Sequence, residues 1–351
     1  MQKPKVAIIG HFGGKENITD GQTVKTKILY DELSDHTDWR ITKVDTYYKS
    51  KKPVKLFLRT MVTLVSAKDI IVLLSGNGMR FYFPLLYFAG KVLGVRVYHD
   101  VIGGNLDSYI DKNPKFVKYL NSFKANWVET NQLKNRIESR GVKNCKVIPN
   151  FKRLNILSES EIYTEVNKPF RFCTFSRVMK EKGIEDAIAA VEEINSEAGE
   201  TVCVLDIYGL IDNGYKERFI DVMNKAPACV AYKGIVPFDK SVETIKDYYA
   251  LLFPTHWKGE GFPGTIVDAY SAGLPVIATD WNCNGEIIED KKNGLLYPNN
   301  ELQSLKESMK WSMDHLSEWK HMREYCLHSA ELYCPDTYVQ YIVGVISKHM
   351  R

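Results

Sequence analysis

The sequence predicts an α/β protein built from two domains, each with a parallel sheet covered by helices. At 351 residues the chain is too long for one ordinary core and fits two domains of typical size. Short β-branched runs alternate with longer segments of helical periodicity, which is typical of parallel sheets with helices on both faces. A polar stretch without strand periodicity, residues 151–168, separates the two halves and is interpreted as the connection between domains.

In the first half, five runs have the composition of strands, and helical periodicity fills the segments between them. The predicted strands are Val6–Gly10, Asp69–Leu74, Val95–Asp100, Trp127–Thr130 and Lys146–Pro149. The predicted helices are Gln22–Leu33, Val54–Val65, Tyr82–Leu93 and Gln132–Ser139. Because the first strand follows the first residues directly, no secretory leader is expected, and we predict a cytoplasmic location.

The second half repeats the alternation and then turns wholly helical. The predicted strands are Phe170–Ser176, Val202–Tyr208, Val230–Lys233, Ala250–Pro254, Pro275–Thr279 and Gly294–Tyr297. The predicted helices are Ile184–Asn195, Lys216–Asn224, Val242–Asp247, Thr265–Ala272, Leu302–His315, Glu318–Glu331 and Asp336–His349. Pro335 suits the first turn of the last helix. We place the boundary near Glu165, which gives domains 1–165 and 166–334 and a final helix in 335–351.

Composition excludes several classes of protein. A hydrophobic content of 44% with 26% charged residues argues against disordered and fibrous chains. The net charge of +4 is small for this length, so nucleic acid is not an expected partner. The seven cysteines contain no Cys-x-x-Cys pair of the kind that zinc and redox sites use, and we expect packed, reduced thiols.

The most informative segment runs from Pro254 to Asp280. A strand ends at Pro254, a glycine-rich turn carries Glu260, and a helix begins near Gly264. This order places backbone N–H groups and the positive end of a helix dipole at the carboxyl edge of a sheet, where phosphates bind. The turn residues predicted to hold a diphosphate are Gly261, Phe262, Pro263 and Gly264. Spacing alone leaves open that Glu260 is a solvated turn residue and Asp268 an exposed helix position.

The same segment closely resembles the glutamate-x7-glutamate signature of family 4 glycosyltransferases, with Asp268 in place of the second glutamate. The resemblance implies a GT-B fold, in which two Rossmann-like domains face each other across a cleft and a C-terminal helix crosses back to the N-terminal domain. It further implies transfer of a sugar from a UDP- or GDP-sugar with retention of configuration. Glu260 would then bind sugar hydroxyls and Asp268 the ribose.

Other segments match the family's pattern. Ser176–Gly183 resembles the stretch with the arginine and lysine that hold the donor diphosphate, here Arg177 and Lys182. Ordinary surface charges between strand and helix are the alternative. Further positions implied by the resemblance are Gly13 and Gly14 near the donor phosphate and Gly209 and Val236 near the base. A plain flexible turn is equally compatible with Gly13 and Gly14.

The third predicted strand ends in Tyr98-His99-Asp100, where related enzymes have a histidine or aspartate close to the reacting sugar. His99 and Asp100 are therefore candidate catalytic residues, with a structural role for His99 as the alternative. The sequence has no Asp-x-Asp triplet of the kind that holds magnesium or manganese in the other large glycosyltransferase fold. We expect no metal and no cofactor.

A basic stretch predicts a membrane-docking helix. Between Asp45 and Asp69 there are six cationic residues and no acidic ones, namely Lys49, Lys51, Lys52, Lys55, Arg59 and Lys68. Periodicity puts Lys55 and Arg59 on one helical face and Leu58, Val62 and Val65 on another, which suits an anionic leaflet. A solvated surface helix is the alternative. For the aromatic segment 81–88, burial against the sheet is the alternative to lipid contact.

The opening residues, together with Ile102–Asn105, resemble bacterial enzymes that build capsule, exopolysaccharide or O-antigen units. This implies a saccharide acceptor linked to polyprenyl diphosphate and peripheral attachment to the inner membrane face. Two other functions remain open. One is a sugar-nucleotide epimerase or hydrolase of the same fold, and the other is a non-catalytic nucleotide-sugar-binding subunit.

Overall fold

The computed structural model describes residues 3–16, 20–162, 167–298 and 301–350, which fall into two compact units. The first unit extends through Arg153 and also includes Gly259–Phe262 and the chain from Cys334 onward. The second consists of Leu154–Lys258 and Pro263–Tyr333. Each unit has a six-stranded parallel sheet with helices, so the predicted two-domain α/β fold is confirmed. Glu165, where we placed the boundary, lies outside the described residues.

The first unit contains the strands β1 (Lys5–Gly10), β2 (Arg40–Asp45), β3 (Asp69–Val72), β4 (Arg96–Asp100), β5 (Ala125–Val128) and β6 (Cys145–Val147). Its helices are α1 (Gly21–His36), α2 (Pro53–Ser66), α3 (Gly76–Leu93), α4 (Leu106–Lys112), α5 (Lys115–Leu120), α6 (Asn131–Glu138) and α14 (Pro335–Met350). The strand order is β2-β1-β3-β4-β5-β6, with every pair parallel. The order reverses between β1 and β3.

The core of the first unit explains why the final helix belongs to it. Helix α14 buries Val339, Ile342 and Ile346 in the same apolar cluster as Leu29 of α1 and Trp127 of β5. These three residues repeat at helical spacing and form one apolar face, which is buried only by contact with this unit. The prediction that the C-terminal helix packs on the N-terminal domain is confirmed.

The second unit contains the strands β7 (Phe170–Phe175), β8 (Cys203–Tyr208), β9 (Val230–Gly234), β10 (Ala250–Phe253), β11 (Val276–Thr279) and β12 (Gly294–Tyr297). Its helices are α7 (Ile184–Ala198), α8 (Lys216–Lys225), α9 (Ser241–Ile245), α10 (Gly264–Ser271), α11 (Asn284–Ile287), α12 (Leu302–Asp314) and α13 (Leu316–Glu331). The order β12-β11-β10-β7-β8-β9 reverses between β7 and β10. In open α/β sheets, ligands bind outside the carboxyl ends of the strands at such a reversal.

Within the described ranges, no helix combines the length and the apolar character needed to cross a membrane.

Candidate functional site

The two loops that flank the strand reversal of the second unit are joined to each other. One follows β7 and the other connects β10 to α10. The backbone N–H of His256 donates to the carbonyl of Glu181 at 2.8 Å. The Thr265 hydroxyl, in the first turn of α10, donates to the carbonyl of Phe175 at 2.6 Å. These bonds fix the start of α10 beside the end of β7, at the edge of the sheet where the strand order reverses.

Lys182 is the cation held most firmly at this edge. It follows β7 in a single 3-10 turn, Lys180–Lys182, and is buried. Its Nζ lies 5.0 Å from the ring centroid of Phe253 and 5.3 Å from that of Trp257. Such cation–π contacts attract the ammonium to the ring faces and restrict its position. Because Lys182 is buried, it is not the ordinary surface charge that the sequence left open as the alternative. Arg177, in the same loop, is exposed.

The two carboxylates of the glutamate-x7-aspartate segment are both buried. Glu260 is 7% exposed and Asp268 is 8% exposed. Neither is the solvated residue that spacing alone allowed. Asp268 lies in the middle of α10, in the second unit, whereas Glu260 belongs to the first unit with the rest of Gly259–Phe262.

The residues predicted near the base follow β8 and β9 at the same sheet edge. Gly209 comes directly after β8, and Val236 lies in the loop after β9. Gly209 has a φ of 136°, and a Cβ there would lie 1.8 Å from the carbonyl oxygen of Ser176. Only glycine permits this approach between the ends of β8 and β7. Pro263 and Gly264 stand at the start of α10.

A buried ionic cluster lies at the carboxyl edge of the first unit. Lys25 of α1 places its Nζ 2.8 Å from Asp100, 2.9 Å from Glu129 and 2.8 Å from the carbonyl of Val101. Burial lowers the pKa of the Lys25 ammonium, but the charges and hydrogen bonds of Asp100 and Glu129 outweigh it and leave that pKa raised. Burial raises the pKa of the Asp100 carboxyl, against the opposing charge of Lys25.

Glu129 extends this cluster to the Gly259–Phe262 segment. Its Oε2 accepts the backbone N–H of Phe262 at 3.2 Å. A Cβ on Gly104 would lie 2.3 Å from the carbonyl oxygen of Glu260, and one on Gly261 would lie 2.8 Å from Cα of Gly103. The glycines therefore permit backbone to pass against backbone, and this contact holds the main chain of Glu260.

Sequence reasoning missed Lys25 and Glu129. Lys25 lies on the buried face of α1 together with Thr26 and Leu29, and a lysine at a core-facing helical position is a signal for a buried ion pair. Glu129 follows β5 directly, but the strand was predicted to continue through Thr130. A correct strand end would have placed Glu129 at the carboxyl edge.

His99 and Asp100 lie on opposite faces of β4, as neighbours in a strand must. The ring of His99 packs edge-on against Phe83, and its Nδ1 lies 3.3 Å from Oδ1 of Asn126. Burial, the largest effect, lowers the pKa of His99 to about 3. Its Nε2 is buried without a hydrogen-bond partner among the described residues. These contacts favour the structural alternative for His99, whereas Asp100 contacts Lys25 on the other face of the strand.

The glycine loop after β1 is held by the protein itself. The backbone N–H groups of Phe12 and Gly14 each donate to the carboxylate of Asp45 at 2.8 Å. Gly13 and Gly14 have φ values of 82° and 63°. The N–H of Gly14 is thus already bonded within the chain, which favours the structural turn over direct phosphate binding at that residue.

The basic helix is α2, and its apolar residues face outward. Leu58, Val62 and Val65 are 58%, 67% and 72% exposed. The buried side chains of this helix are instead Thr60, Thr63 and Leu64. This exposure is compatible both with a membrane-docking helix and with the solvated surface helix that the sequence left open. In α3, Tyr82, Phe83 and Leu86 are buried while Phe81 and Phe88 are exposed, so the aromatic segment is partly buried and partly exposed.

Comparison with known proteins places these observations in a family context. Residues 155–326 match the family model described as glycosyl transferases group 1. Over 132 residues the chain is 33% identical to the GtfA subunit of a UDP-N-acetylglucosamine–peptide N-acetylglucosaminyltransferase from Streptococcus pneumoniae serotype 4, covering 37% of this chain and 25% of that protein. Over 144 residues it is 24% identical to the amylovoran biosynthesis glycosyltransferase AmsK of Erwinia amylovora, covering 40% and 35%. The chain thus spans about a quarter to a third of the length of these curated relatives.

The whole fold is shared with solved structures. The crystal structure of Anabaena Alr3699/HepE in complex with UDP and glucose matches with a TM-score of 0.73 at 15% identity, covering 98% of this chain and 100% of that one. At this identity the likeness shows the fold alone. The chain thus combines a match to the glycosyl transferases group 1 model over residues 155–326 with the two-domain GT-B fold of its structural neighbours.

Proposed function

We propose that the protein is a retaining glycosyltransferase that moves a hexose from a UDP- or GDP-sugar to a saccharide acceptor. The observation that carries this proposal is the edge of the second sheet between β7 and β10. There, two mutually bonded loops bring the buried Lys182 and the first turn of α10 together. A fixed cation and the start of a helix are the groups that bind a diphosphate.

The chemistry follows from the charge that develops during transfer. As the bond between sugar and phosphate breaks, the leaving nucleoside diphosphate gains negative charge. Lys182 and Arg177 stabilise that charge, together with the backbone N–H groups of Gly264 and Thr265 at the start of α10. The leaving phosphate then takes the proton of the incoming hydroxyl on the same face of the sugar, which retains the anomeric configuration.

The two buried carboxylates have separate roles in this proposal. Asp268 binds the ribose of the donor, and Glu260 binds hydroxyls of the transferred sugar without acting as a nucleophile. Asp100, paired with Lys25, lies on the acceptor side in the first unit. The base is contacted through the backbone near Gly209 and Val236. No step requires a divalent metal, so transfer is expected to continue in the presence of a chelator.

The acceptor belongs to the synthesis of bacterial surface polysaccharide and is linked to a lipid. The relative named for amylovoran biosynthesis supports the polysaccharide assignment. The UDP and glucose in the Anabaena structure support a sugar nucleotide as donor. Exposed apolar and basic residues on α2 support peripheral attachment to an anionic membrane.

The test is a panel of UDP-glucose, UDP-N-acetylglucosamine and GDP-mannose, with released nucleoside diphosphate measured with and without acceptor. Saccharide, lipid-linked saccharide and peptide acceptors are compared, since one relative is named for transfer to peptide. We expect acceptor-dependent release, an α-linked product by NMR from an α-linked donor, and unchanged rates with EDTA. Acceptor-independent release would indicate an epimerase or hydrolase. Binding without turnover would indicate a non-catalytic subunit.

A further inference from the structure

Two neighbouring helices of the first unit share an unusual outer surface. The α2–α3 apolar surface comprises the exposed side chains Val54, Phe57, Leu58, Val62 and Val65 of α2 and Phe81, Phe88 and Val92 of α3, which are 48–72% exposed. They repeat at spacings of three, four and seven and form a stripe on each helix. Exposed apolar side chains gathered on neighbouring helices mark a surface that binds a membrane, a ligand or another protein.

A pocket of about 340 Å³ opens within this surface. Its volume falls in the range of small-molecule sites, roughly 300–1,000 Å³. The outer wall consists of apolar and aromatic residues, with Leu56 and Phe57 from α2 and Phe81 and Tyr82 from α3. The Tyr82 hydroxyl lies 3.2 Å from that of Thr60, so this polar group of the wall has a partner within the protein.

The inner end of the pocket lies where the first sheet changes strand order. Thr46 follows β2, and Leu74 and Ser75 follow β3, so all three lie at the carboxyl edge beside the β1–β3 reversal. This is the position at which open α/β sheets bind ligands. The pocket therefore connects the ligand-binding edge of the sheet to an exposed apolar surface.

The charge around the pocket selects the chemistry of its ligand. Lys49 lines it, and Lys52, Lys55 and Arg59 follow within the next ten residues. Lys51 forms an ion pair with Glu16 at 2.9 Å. The segment between Asp45 and Asp69 carries no acidic residue. An apolar pocket with Lys49 in its wall and a basic helix beside it fits a hydrocarbon chain that ends in an anionic phosphate.

We propose that this pocket binds the hydrocarbon chain of a phosphate-bearing lipid acceptor, while the α2–α3 apolar surface lies against the leaflet that supplies it. The inference rests on the proposed function and names the residues that bind the hydrocarbon part of the acceptor. The phosphate lies near Lys49, and the chain runs between Phe57 and Phe81 toward the membrane. A partner protein or a second copy of the chain would not require the pocket to reach the sheet edge.

The test measures binding of dodecyl phosphate below its micellar concentration by calorimetry, with inorganic phosphate and dodecyl glucoside as the two partial ligands. We expect dodecyl phosphate to bind more tightly than either. The double variant Phe57→Ser/Phe81→Ser should weaken binding about tenfold or more, since it removes both aromatic walls. Both side chains are half-exposed, and thermal melts by circular dichroism verify that the variant is folded.

Phe88→Ser is the matched control, because Phe88 is exposed on the same helix but does not line the pocket. It should leave the affinity for dodecyl phosphate unchanged and reduce flotation with phosphatidylglycerol vesicles. Equal affinity of the wild type and the double variant would overturn the inference. So would a wild-type dimer, seen by light scattering, that Phe81→Ser dissociates, because the surface would then be an interface between copies.

The proposed transferase is assayed separately through release of nucleoside diphosphate. If the protein releases nucleoside diphosphate with a soluble acceptor but does not bind dodecyl phosphate, the proposed function stands and the role of the pocket is refuted. If the protein binds dodecyl phosphate through Phe57 and Phe81 but turns over no sugar nucleotide, the lipid pocket stands and the transferase activity is refuted.

Discussion

Lys25 and Glu129 form a buried ion pair at 2.9 Å, and the second carboxylate oxygen of Glu129 accepts the backbone N–H of Phe262. One lysine of helix α1 is thereby coupled, through a single side chain, to the segment that carries Glu260. Burying any one of these charged side chains without its partner would cost free energy of folding.

Replacing Lys25 with methionine should destabilise the first unit. The variant leaves Asp100 and Glu129 buried without their cation, and breaking a buried pair in this way costs about 3–5 kcal/mol. Urea unfolding followed by circular dichroism measures the change. The control is Lys27→Met on the same helix, which should alter the free energy of unfolding by less than about 0.5 kcal/mol. Equal effects of the two changes would contradict the role assigned to Lys25.

Replacing Glu129 with alanine should lower transfer activity without weakening donor binding. The change removes the acceptor of the Phe262 N–H and loosens the main chain beside Glu260. A displacement of about 1 Å in such a segment costs roughly 100-fold in rate. We expect a lower kcat and an unchanged Kd for UDP, while Glu138→Gln serves as the control. A variant with normal kcat would show that this bond does not position the segment.

Gly104→Ala tests the close backbone contact directly. Its new Cβ would lie 2.3 Å from the Glu260 carbonyl, so the segment must move and activity should fall by at least about tenfold. Gly344→Ala in α14 is the control, because a Cβ there meets nothing within 4 Å. That change should raise the free energy of unfolding by about 0.5–1 kcal/mol. Full activity in Gly104→Ala would argue against the contact.

Lys182→Gln should weaken stabilisation of the leaving diphosphate and lower kcat/KM by about 100-fold or more. Lys180→Gln removes an exposed lysine from the same turn and should have little effect. Steady-state kinetics with the best donor of the panel measures both. If the two variants lose activity equally, Lys182 has no special role at this edge.

Acid should destabilise the protein through His99. The pKa of this histidine is depressed to about 3 in the folded protein, below its unfolded value of about 6.5. The unfolded chain therefore binds the extra proton as the pH falls through 6.5, and stability is lost toward pH 3. Between pH 6.5 and 4.5 the loss should be about 2 kcal/mol.

Unfolding of His99→Gln over the same pH range isolates this contribution from that of the carboxylates. The variant should show a shallower pH dependence than the wild type by that amount, whatever its stability at neutral pH. Parallel curves for the two proteins would mean that His99 is not buried in its neutral form.

The sequence allowed the buried strands to be predicted better than the exposed one. Val276–Thr279 is apolar throughout because both faces of a parallel sheet are covered, so its composition is distinctive. Arg40–Asp45 is an edge strand in which only Val44 is fully buried, and its mixed composition gave no such signal. Helices α4 and α5, with seven and six residues, were too short to show a period.

For the candidate site, local pattern identified loops but not the partners of their side chains. The glycine-rich turn after β10 could be recognised because strand, turn and helix follow in sequence, and the stretch after β7 through its resemblance to the family's arginine and lysine pattern. The pairing of Lys25 with Glu129 joins residues 104 positions apart, and no local period encodes it. Likewise, His99 and Asp100 must point to opposite faces, but which face is covered by Phe83 depends on tertiary packing.

The first unit is built from three separate stretches of chain. This limits how the two domains can be exchanged with those of a relative. A chimera that joined residues 1–153 to the second domain of a relative would inherit foreign residues at 259–262 and at the terminal helix. Glu129 would then face a different loop, and Leu29 a different helix surface. Domain exchange for changing donor preference should therefore keep these two short stretches native and transplant only Leu154–Lys258 and Pro263–Tyr333.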